Sequence, residues 1–165
     1  MTHPIWRKRW IQVLLFSLTL CAMLLIFFFS SENGEQSNET RGKIVQLVVR
    51  IAEPNYDALD VASQQSIFSL LQFLIRKLGH FSEYTLLGCL LRLFLQTYPF
   101  PRKGLIAWNA GAIYACSDEL HQFFVGSRTA MWQDVLLDSS GVLAGIALSC
   151  FIILIMEHQY IKKER

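Results

Sequence analysis

The feature that most constrains this chain is a run of nineteen residues without a charge, Ile11 to Phe29. A helix needs roughly 20 mostly apolar residues to cross the hydrocarbon core of a bilayer, and this run is long enough. Arg7, Lys8 and Arg9 precede it, as basic residues precede a signal peptide. Its apolar core is longer than that of a typical signal peptide, however, and no small-residue cleavage site follows. The run therefore predicts a retained membrane helix.

Three further apolar stretches are long enough to span a bilayer. They cover residues 78–98, 104–124 and 135–156. Hydrophobic residues make up 53% of the 165 residues and charged residues only 17%, a balance that is unusual in a soluble domain of this size. The sequence thus predicts an all-α, polytopic membrane protein. Its membrane domain would cover residues 11–156, with four transmembrane helices and a partly helical outer loop between the first two.

Lysine and arginine in the connecting segments predict the orientation of these spans. With the N-terminus inside, the inner segments 1–10, 99–103 and 157–165 hold eight basic residues in 24 positions. The outer segments 30–77 and 125–134 hold six in 58 positions. Because basic residues are enriched in cytoplasmic loops, we expect a multi-pass protein of the cell membrane with both termini in the cytoplasm.

The long outer loop, residues 30–77, begins polar and then shows two helical patterns. Apolar residues from Ile44 to Ile51 recur at helical spacing until Pro54 ends the pattern. This predicts a short amphipathic helix with two open placements, on the outer membrane surface or packed on the protein itself. A second pattern, in residues 67–75, leads into the second span.

Ionisable groups gather at one end of the last three spans. In the predicted topology three sets of side chains lie just below the outer surface: Arg76, Lys77, His80 and Glu83; Asp118, Glu119, His121 and Gln122; Asp134 and Asp138. Carboxylates are costly in lipid, so the helix faces that carry them should point at one another. The small residues Gly141 and Gly145 would let the fourth span approach its neighbours closely.

Simpler roles are open for several of these residues. Lys77 and Arg76 would reach outer headgroups, and Tyr84 would be an interface aromatic. Asp134 would cap the fourth span. Arg92, nearer the inner side, is expected to reach the inner surface on its own. The whole set is then either a structural polar lock or a functional pocket.

Three ordered motifs carry a family resemblance. They are RKLGHFSEYTLLGCLL at 76–91, SDELHQFFVGSR at 117–128 and QDVLLDSSGVLAG at 133–145, and FFFSSENG at 27–34 closes the first span. Together they resemble the VanZ-like family of small bacterial membrane proteins. That family is named for an accessory protein linked to teicoplanin, a glycopeptide that acts on cell-wall precursors outside the membrane. The resemblance implies a role at the cell envelope and names no reaction.

The resemblance and the convergence together predict a set of site residues. The candidate catalytic groups are His80, Glu83, Asp118 and Glu119, and the candidate ligand-binding groups are Lys77, Tyr84, Gln122, Arg128 and Asp134. The chain departs from the family pattern at two places. Asp138 stands where many members have asparagine, and VGSR replaces a more usual Pro-Gly-Arg.

Several functions fit this set. One hypothesis is a pocket that acts on a lipid-linked or other envelope molecule, with His80 and Glu83 as an acid/base pair and Arg128 on an anionic headgroup. Another is the same pocket binding such a molecule as an accessory protein, without chemistry. No nucleophile motif or phosphate loop decides between them, so the sequence leaves open whether the protein is an enzyme.

A third hypothesis is a metal-dependent enzyme. His80 and Glu83 on one helix would face Asp118 and His121 on another, but one-turn pairs of this kind arise easily by chance. The sequence therefore assigns no residue to a metal and no cofactor.

A transporter or proton path is disfavoured, since the polar groups lie at one end only. Membrane lipids and a lipid-linked cell-wall precursor are the expected partners. A net charge of +2 without a basic helix argues against nucleic acid.

Overall fold

The computed structural model describes residues 4–31, 34–125 and 131–164, with side chains over 4–31, 42–124 and 131–163. Its helices are α1 (Arg9–Ser31), α2 (Gly34–Ala52), α3 (Val61–Gln96), α4 (Lys103–Val125) and α5 (Trp132–Glu164). Short 3-10 turns lie at Pro4–Arg7 and Tyr56–Ala58. None of the described residues forms a strand, so the predicted all-α class is confirmed.

Two of the described helices, α1 and α5, are long and apolar enough to cross a bilayer. Both expose large apolar side chains, such as Phe28 and Phe151, each more than 60% exposed. Helices α3 and α4 also expose such side chains, for example Leu86 and Ile113, but they carry the ionisable groups that lower their mean hydropathy. Length and composition therefore support membrane association, and the count of four spans stays a prediction.

Helix α3 joins two elements that the sequence suggested separately. Its N-cap residue is Asp60, whose side chain accepts hydrogen bonds from the Ser63 backbone N–H and hydroxyl. From there it continues for 36 residues without a break. At 1.5 Å per residue this is about 54 Å, well beyond the roughly 30 Å of a bilayer core. The first half of α3 therefore lies in the predicted outer segment.

The amphipathic helix of the outer segment is α2, and it is longer than the sequence pattern suggested. It packs against α3 and buries Val45 and Val49. Ile44, Leu47 and Ile51 lie on the other face and are exposed. Of the two predicted placements, α2 therefore shows the one in which it packs on the protein itself. The apolar residues that defined the sequence pattern are themselves exposed, so their placement on the outer membrane surface stays a prediction.

Glycines let α3 and α5 pack backbone against backbone. A Cβ added at Gly145 would overlap the carbonyl oxygen of Thr85, and one at Gly88 would overlap that of Val142. Gly141 is also too close to α3 for a side chain. The predicted close approach of α5 is therefore present, because small residues allow helix backbones to touch. This contact aligns the polar ends of the two helices.

Polar side chains at the predicted cytoplasmic end form what we call the inner-end network: Trp6, Arg92, Gln96, Lys103 and Glu157. The Glu157 carboxylate accepts hydrogen bonds from Trp6 Nε1 at 3.1 Å and from Gln96 Nε2 at 3.4 Å. The Gln96 side-chain oxygen accepts from Arg92 at 2.9 Å and from Lys103 at 3.3 Å. The expectation that Arg92 reaches the surface on its own is wrong, because Gln96 lies one helical turn away on the same face.

Candidate functional site

The ionisable ends of α3, α4 and α5 meet in a group that we call the outer-end cluster: His80, Asp118 and Asp138. One side-chain ligand atom from each residue lies within 4.8 Å of the other two. Asp118 is 4% exposed and Asp138 is 2% exposed, whereas the His80 side chain is 20% exposed. The convergence that topology predicts is present, and it buries two carboxylates beside one imidazole.

Asp118 is held by one of its two oxygens. Its Oδ2 accepts hydrogen bonds from the Ser30 hydroxyl at 2.9 Å and from Gln122 Nε2 at 3.0 Å. Ser30 lies in the last turn of α1, and Gln122 lies one turn after Asp118 on α4. The second oxygen, Oδ1, is buried and accepts no hydrogen bond of normal geometry from the described residues, although the Tyr84 hydroxyl lies near this carboxylate. The carboxylate is therefore fixed firmly through Oδ2 alone.

Asp138 lies one turn after Asp134 on α5, opposite the outer part of α3. Its Oδ1 lies 3.9 Å from His80 Nδ1 and accepts no hydrogen bond from the described residues. Four other carboxyl groups are close enough to repel its charge: Asp118, Asp134, Glu119 and Glu83. The site is therefore strongly acidic, and burial makes that repulsion larger than it would be in water.

The basic side chains of α3 do not offset this charge at its centre. Lys77 forms an ion pair with Asp134, at the edge of the cluster. Arg76 and Lys77 also lie over the ring of Phe73, at 5.9 and 5.3 Å from its centroid. Asp134 is the third residue of α5, so its predicted role as the residue capping α5 is wrong. A carboxylate in the first turn is nonetheless favoured by the helix dipole.

Glu119 has a structural contact of its own. Its Oε1 accepts a hydrogen bond at 2.7 Å from the backbone N–H of Met131, the residue just before α5. Backbone N–H groups at a helix start have no partner within the helix, so this bond stabilises the start of α5. Glu119 is 8% exposed and joins α4 to α5. It lies next to the outer-end cluster rather than in it.

His121 does not join the cluster either. Its ring lies 3.0 Å from the Ser31 hydroxyl, measured from Nε2, and stacks on Phe27 with a centroid distance of 4.4 Å. It therefore contacts α1, and it is not among the described residues whose ligand atoms gather around His80. The metal hypothesis that paired His80 and Glu83 with Asp118 and His121 is thus wrong in its residues, because Asp138 takes the place next to His80.

Two further site residues have definite positions. Tyr84 follows His80 by one turn and is 0% exposed, in a core that also contains Leu87 and Val142. Its reading as an interface aromatic is therefore wrong, and the ring lies beneath the cluster. Glu83 is half-buried on α3. Arg128 lies outside the described residues.

The site residues chosen from the sequence omit two that the structure brings in. Ser30 orients Asp118, and its signal was the Ser-Ser pair that closes the first span. Asp138 belongs to the centre of the cluster, and its signal was the four-residue spacing from Asp134.

A separate cavity of about 560 Å³ lies between α2, the second 3-10 turn and α3. It is lined by Arg50, Glu53 and Tyr56, among others, and does not include the cluster.

A comparison with known protein families identifies the family of the chain. The model of the VanZ/LLP1 family matches residues 15–155, which run from α1 to α5. The chain belongs to the VanZ/LLP1 family. The match contains the whole outer-end cluster together with Ser30 and Gln122. No curated protein and no solved structure gives a significant match to the chain. Membership in VanZ/LLP1 and two apolar helices together indicate a protein associated with membranes.

Proposed function

We propose that this VanZ/LLP1 protein spans the membrane four times, with both termini in the cytoplasm. In this proposal the outer end of its helix bundle binds a lipid-linked or other cell-envelope molecule. The phenotype expected from such binding is a contribution to teicoplanin resistance, since teicoplanin acts on precursors outside the membrane.

The topology is supported by exposed apolar side chains on all four candidate spans. Ile113 on α4 is 70% exposed and Leu86 on α3 is 53% exposed, values that suit contact with lipid. The basic residues are denser in the segments assigned to the cytoplasm. The exposed face of α2, with Leu47 and Ile51, would then lie in the outer interface.

The observation that carries the functional proposal is the pair of buried carboxylate oxygens at Asp118 and Asp138. Neither accepts a hydrogen bond from the described residues. Buried polar groups in proteins nearly always find partners, and exceptions concentrate where a ligand or reaction needs them. A structural lock would instead satisfy its own groups, as the inner-end network does.

A route to the cluster follows the outer part of α3. Arg76, His80 and Glu83 are four and three residues apart on one helical face, and each is partly exposed. A ligand that slides along this face from the outer leaflet would meet Arg76 before His80. Arg128, which the resemblance implicates, would hold an anionic headgroup through a forked contact.

Two predicted site residues, the candidate catalytic group Glu119 and the candidate ligand-binding group Asp134, already make contacts within the protein. Glu119 accepts the Met131 N–H, and Asp134 pairs with Lys77. These contacts make both side chains part of the frame of the site. His80 and Glu83 are both partly exposed, so a ligand could reach them from the outer end.

The test is teicoplanin susceptibility of a glycopeptide-sensitive bacterium that expresses the protein at matched membrane levels. Wild type is compared with Asp118→Asn, Glu83→Gln and the control Glu157→Gln, which removes one carboxylate at the opposite end of the bundle. We expect wild type and Glu157→Gln to protect, and the other two to lose protection. If all four strains are equally susceptible, the proposed role in teicoplanin resistance is wrong.

A charge-preserving variant separates binding from chemistry. Glu83→Asp keeps the carboxylate but moves it by one methylene. A binding role predicts partial protection, because charge and hydrogen bonding are largely kept. Complete loss of protection at unchanged protein level would contradict binding alone and favour an acid/base role for Glu83.

A further inference from the structure

We propose that the outer-end cluster is a divalent-cation site whose protein ligands are His80, Asp118 and Asp138. The inference rests on the geometry of the described residues and does not depend on the proposed envelope role. It differs from the pairing that helical spacing suggested, since Asp138 replaces Glu83 and His121.

The first support is the distance between the three ligand atoms. His80 Nδ1 and Asp138 Oδ1 are 3.9 Å apart, and the whole set lies within 4.8 Å. A zinc-sized ion binds nitrogen and oxygen at about 2.0–2.2 Å, which places neighbouring ligand atoms roughly 3–3.5 Å apart. Small side-chain rotations would therefore bring the three atoms onto one ion. They come from three different helices, so the ion would join α3, α4 and α5.

The second support is the orientation of Asp118. Its Oδ2 is held by Ser30 and Gln122, while Oδ1 is left without a hydrogen bond from the described residues. Outer hydrogen bonds of this kind orient carboxylates that bind metals and leave the other oxygen for the ion. The Tyr84 hydroxyl lies near this carboxylate but gives Oδ1 no hydrogen bond of normal geometry, so a role in joining α1 to α4 alone does not account for burying the second oxygen.

The third support is the balance of charge. Asp118 and Asp138 are buried side by side, and Lys77 is engaged by Asp134 at the rim. Among the described salt bridges, the contact to Asp138 comes from His80, at 3.9 Å. One imidazole cannot neutralise two carboxylates. A divalent cation would neutralise both at once, which explains how they are tolerated away from water.

The ligand types narrow the choice of ion. An imidazole nitrogen disfavours Mg²⁺ and Ca²⁺, which take oxygen ligands. One imidazole with two carboxylates suits Zn²⁺ or Mn²⁺. Three protein ligands leave a position open for water or for an anionic oxygen of a bound molecule. Only this last step, from ion to bound molecule, rests on the proposed function.

The test is metal binding by the purified full-length protein in detergent. The protein is dialysed against Zn²⁺ or Mn²⁺ and then against metal-free buffer, and bound metal is measured by mass spectrometry. We expect about one ion per chain for wild type and for Glu157→Gln. His80→Gln and Asp118→Asn should bind at least about tenfold more weakly, as loss of a ligand requires.

Thermal unfolding provides a second readout that guards against misfolded variants. A chelator should lower the melting temperature of wild type and leave that of folded Asp118→Asn unchanged, since only a bound ion stabilises by mass action. Wild type that holds less than about 0.1 ion per chain would overturn the proposal. Equal binding by wild type and both ligand variants would show an adventitious ion only, and would overturn it too.

The metal proposal and the envelope proposal can fail separately. If wild type binds no ion while protection still depends on Asp118, the metal site is wrong and the envelope role stands. If the ion is bound through His80 and Asp118 while protection is unaffected by either residue, the metal site stands and the envelope role is wrong.

Discussion

The inner-end network and the outer-end cluster lie at opposite ends of one helix bundle. Their polar side chains differ in how completely they are hydrogen-bonded. In the inner-end network, the Glu157 carboxylate and the Gln96 side-chain oxygen each accept two hydrogen bonds. In the outer-end cluster, Asp118 and Asp138 each keep a buried oxygen without one among the described residues. The inner end mixes cations with a single acid, whereas the outer end is strongly acidic.

This difference separates two reasons for polar groups near a membrane. A satisfied network rigidifies a bundle, because every buried group has a partner. A group of buried carboxylates without partners costs stability unless something else neutralises it. We therefore interpret the inner-end network as structural and the outer-end cluster as a functional site. Each interpretation can be tested by substitutions whose effects should differ between the two ends.

The largest effect is expected at the glycine contact on which both ends depend. Gly145→Ala would put a Cβ into the Thr85 carbonyl oxygen and push α5 away from α3. We expect a loss of about 1–3 kcal/mol or more in the free energy of unfolding, as for other overpacked cores. The measurement is unfolding in detergent.

The matched control is Gly79→Ala on α3. A Cβ there meets nothing within 4 Å, so alanine should stabilise the helix slightly through its higher propensity. Equal effects of the two substitutions would mean that the close α3–α5 contact does not govern stability.

The next effect is expected at the hub of the inner-end network. Gln96→Leu removes the acceptor of Arg92 and Lys103 and the donor to Glu157. Leaving these groups without a partner should cost about 1–3 kcal/mol. Teicoplanin protection should be unchanged once the amount of folded protein is matched. Normal stability with lost protection would reverse the roles assigned to the two ends.

The smallest effect is expected at the start of α3, in the predicted outer segment. Hydrogen bonds from Ser63 lower the pKa of Asp60 below its ordinary value of 3.8. The stabilisation by ionised Asp60 is therefore fully present above pH 3.8 and is lost as the pH falls through the lower, folded-state pKa. Asp60→Asn should lower the melting temperature slightly at neutral pH, and the difference should vanish in acid. A difference that persists in acid would contradict this origin.

The sequence predicted the features that depend on the length of an apolar segment or on helical periodicity. The charge-free run from Ile11 to Phe29 predicted α1, and the one-turn spacing of Asp134 and Asp138 placed both on one face of α5. Convergence of α3, α4 and α5 followed from alternating the direction of the spans. These features are properties of single helices or of their order.

The sequence did not predict contacts between distant side chains. Ser30 and Asp118 are 88 residues apart, and nothing in either segment specifies their hydrogen bond. His121 lies only three residues after Asp118 and also contacts α1, yet it reaches Ser31 and Phe27 and does not join the cluster. Rotation of each helix about its axis is set by packing, so the membership of the cluster required the structure.

The most direct test of the central claim is the stability of Asp138→Asn with metal removed. The substitution keeps the shape of the side chain and removes one buried negative charge. If the outer-end cluster is a site, the chelated variant should melt at the same temperature as chelated wild type or higher, because a repulsive charge is gone. A melting temperature lowered as much as by Gln96→Leu would contradict the account, and would make the cluster a structural lock.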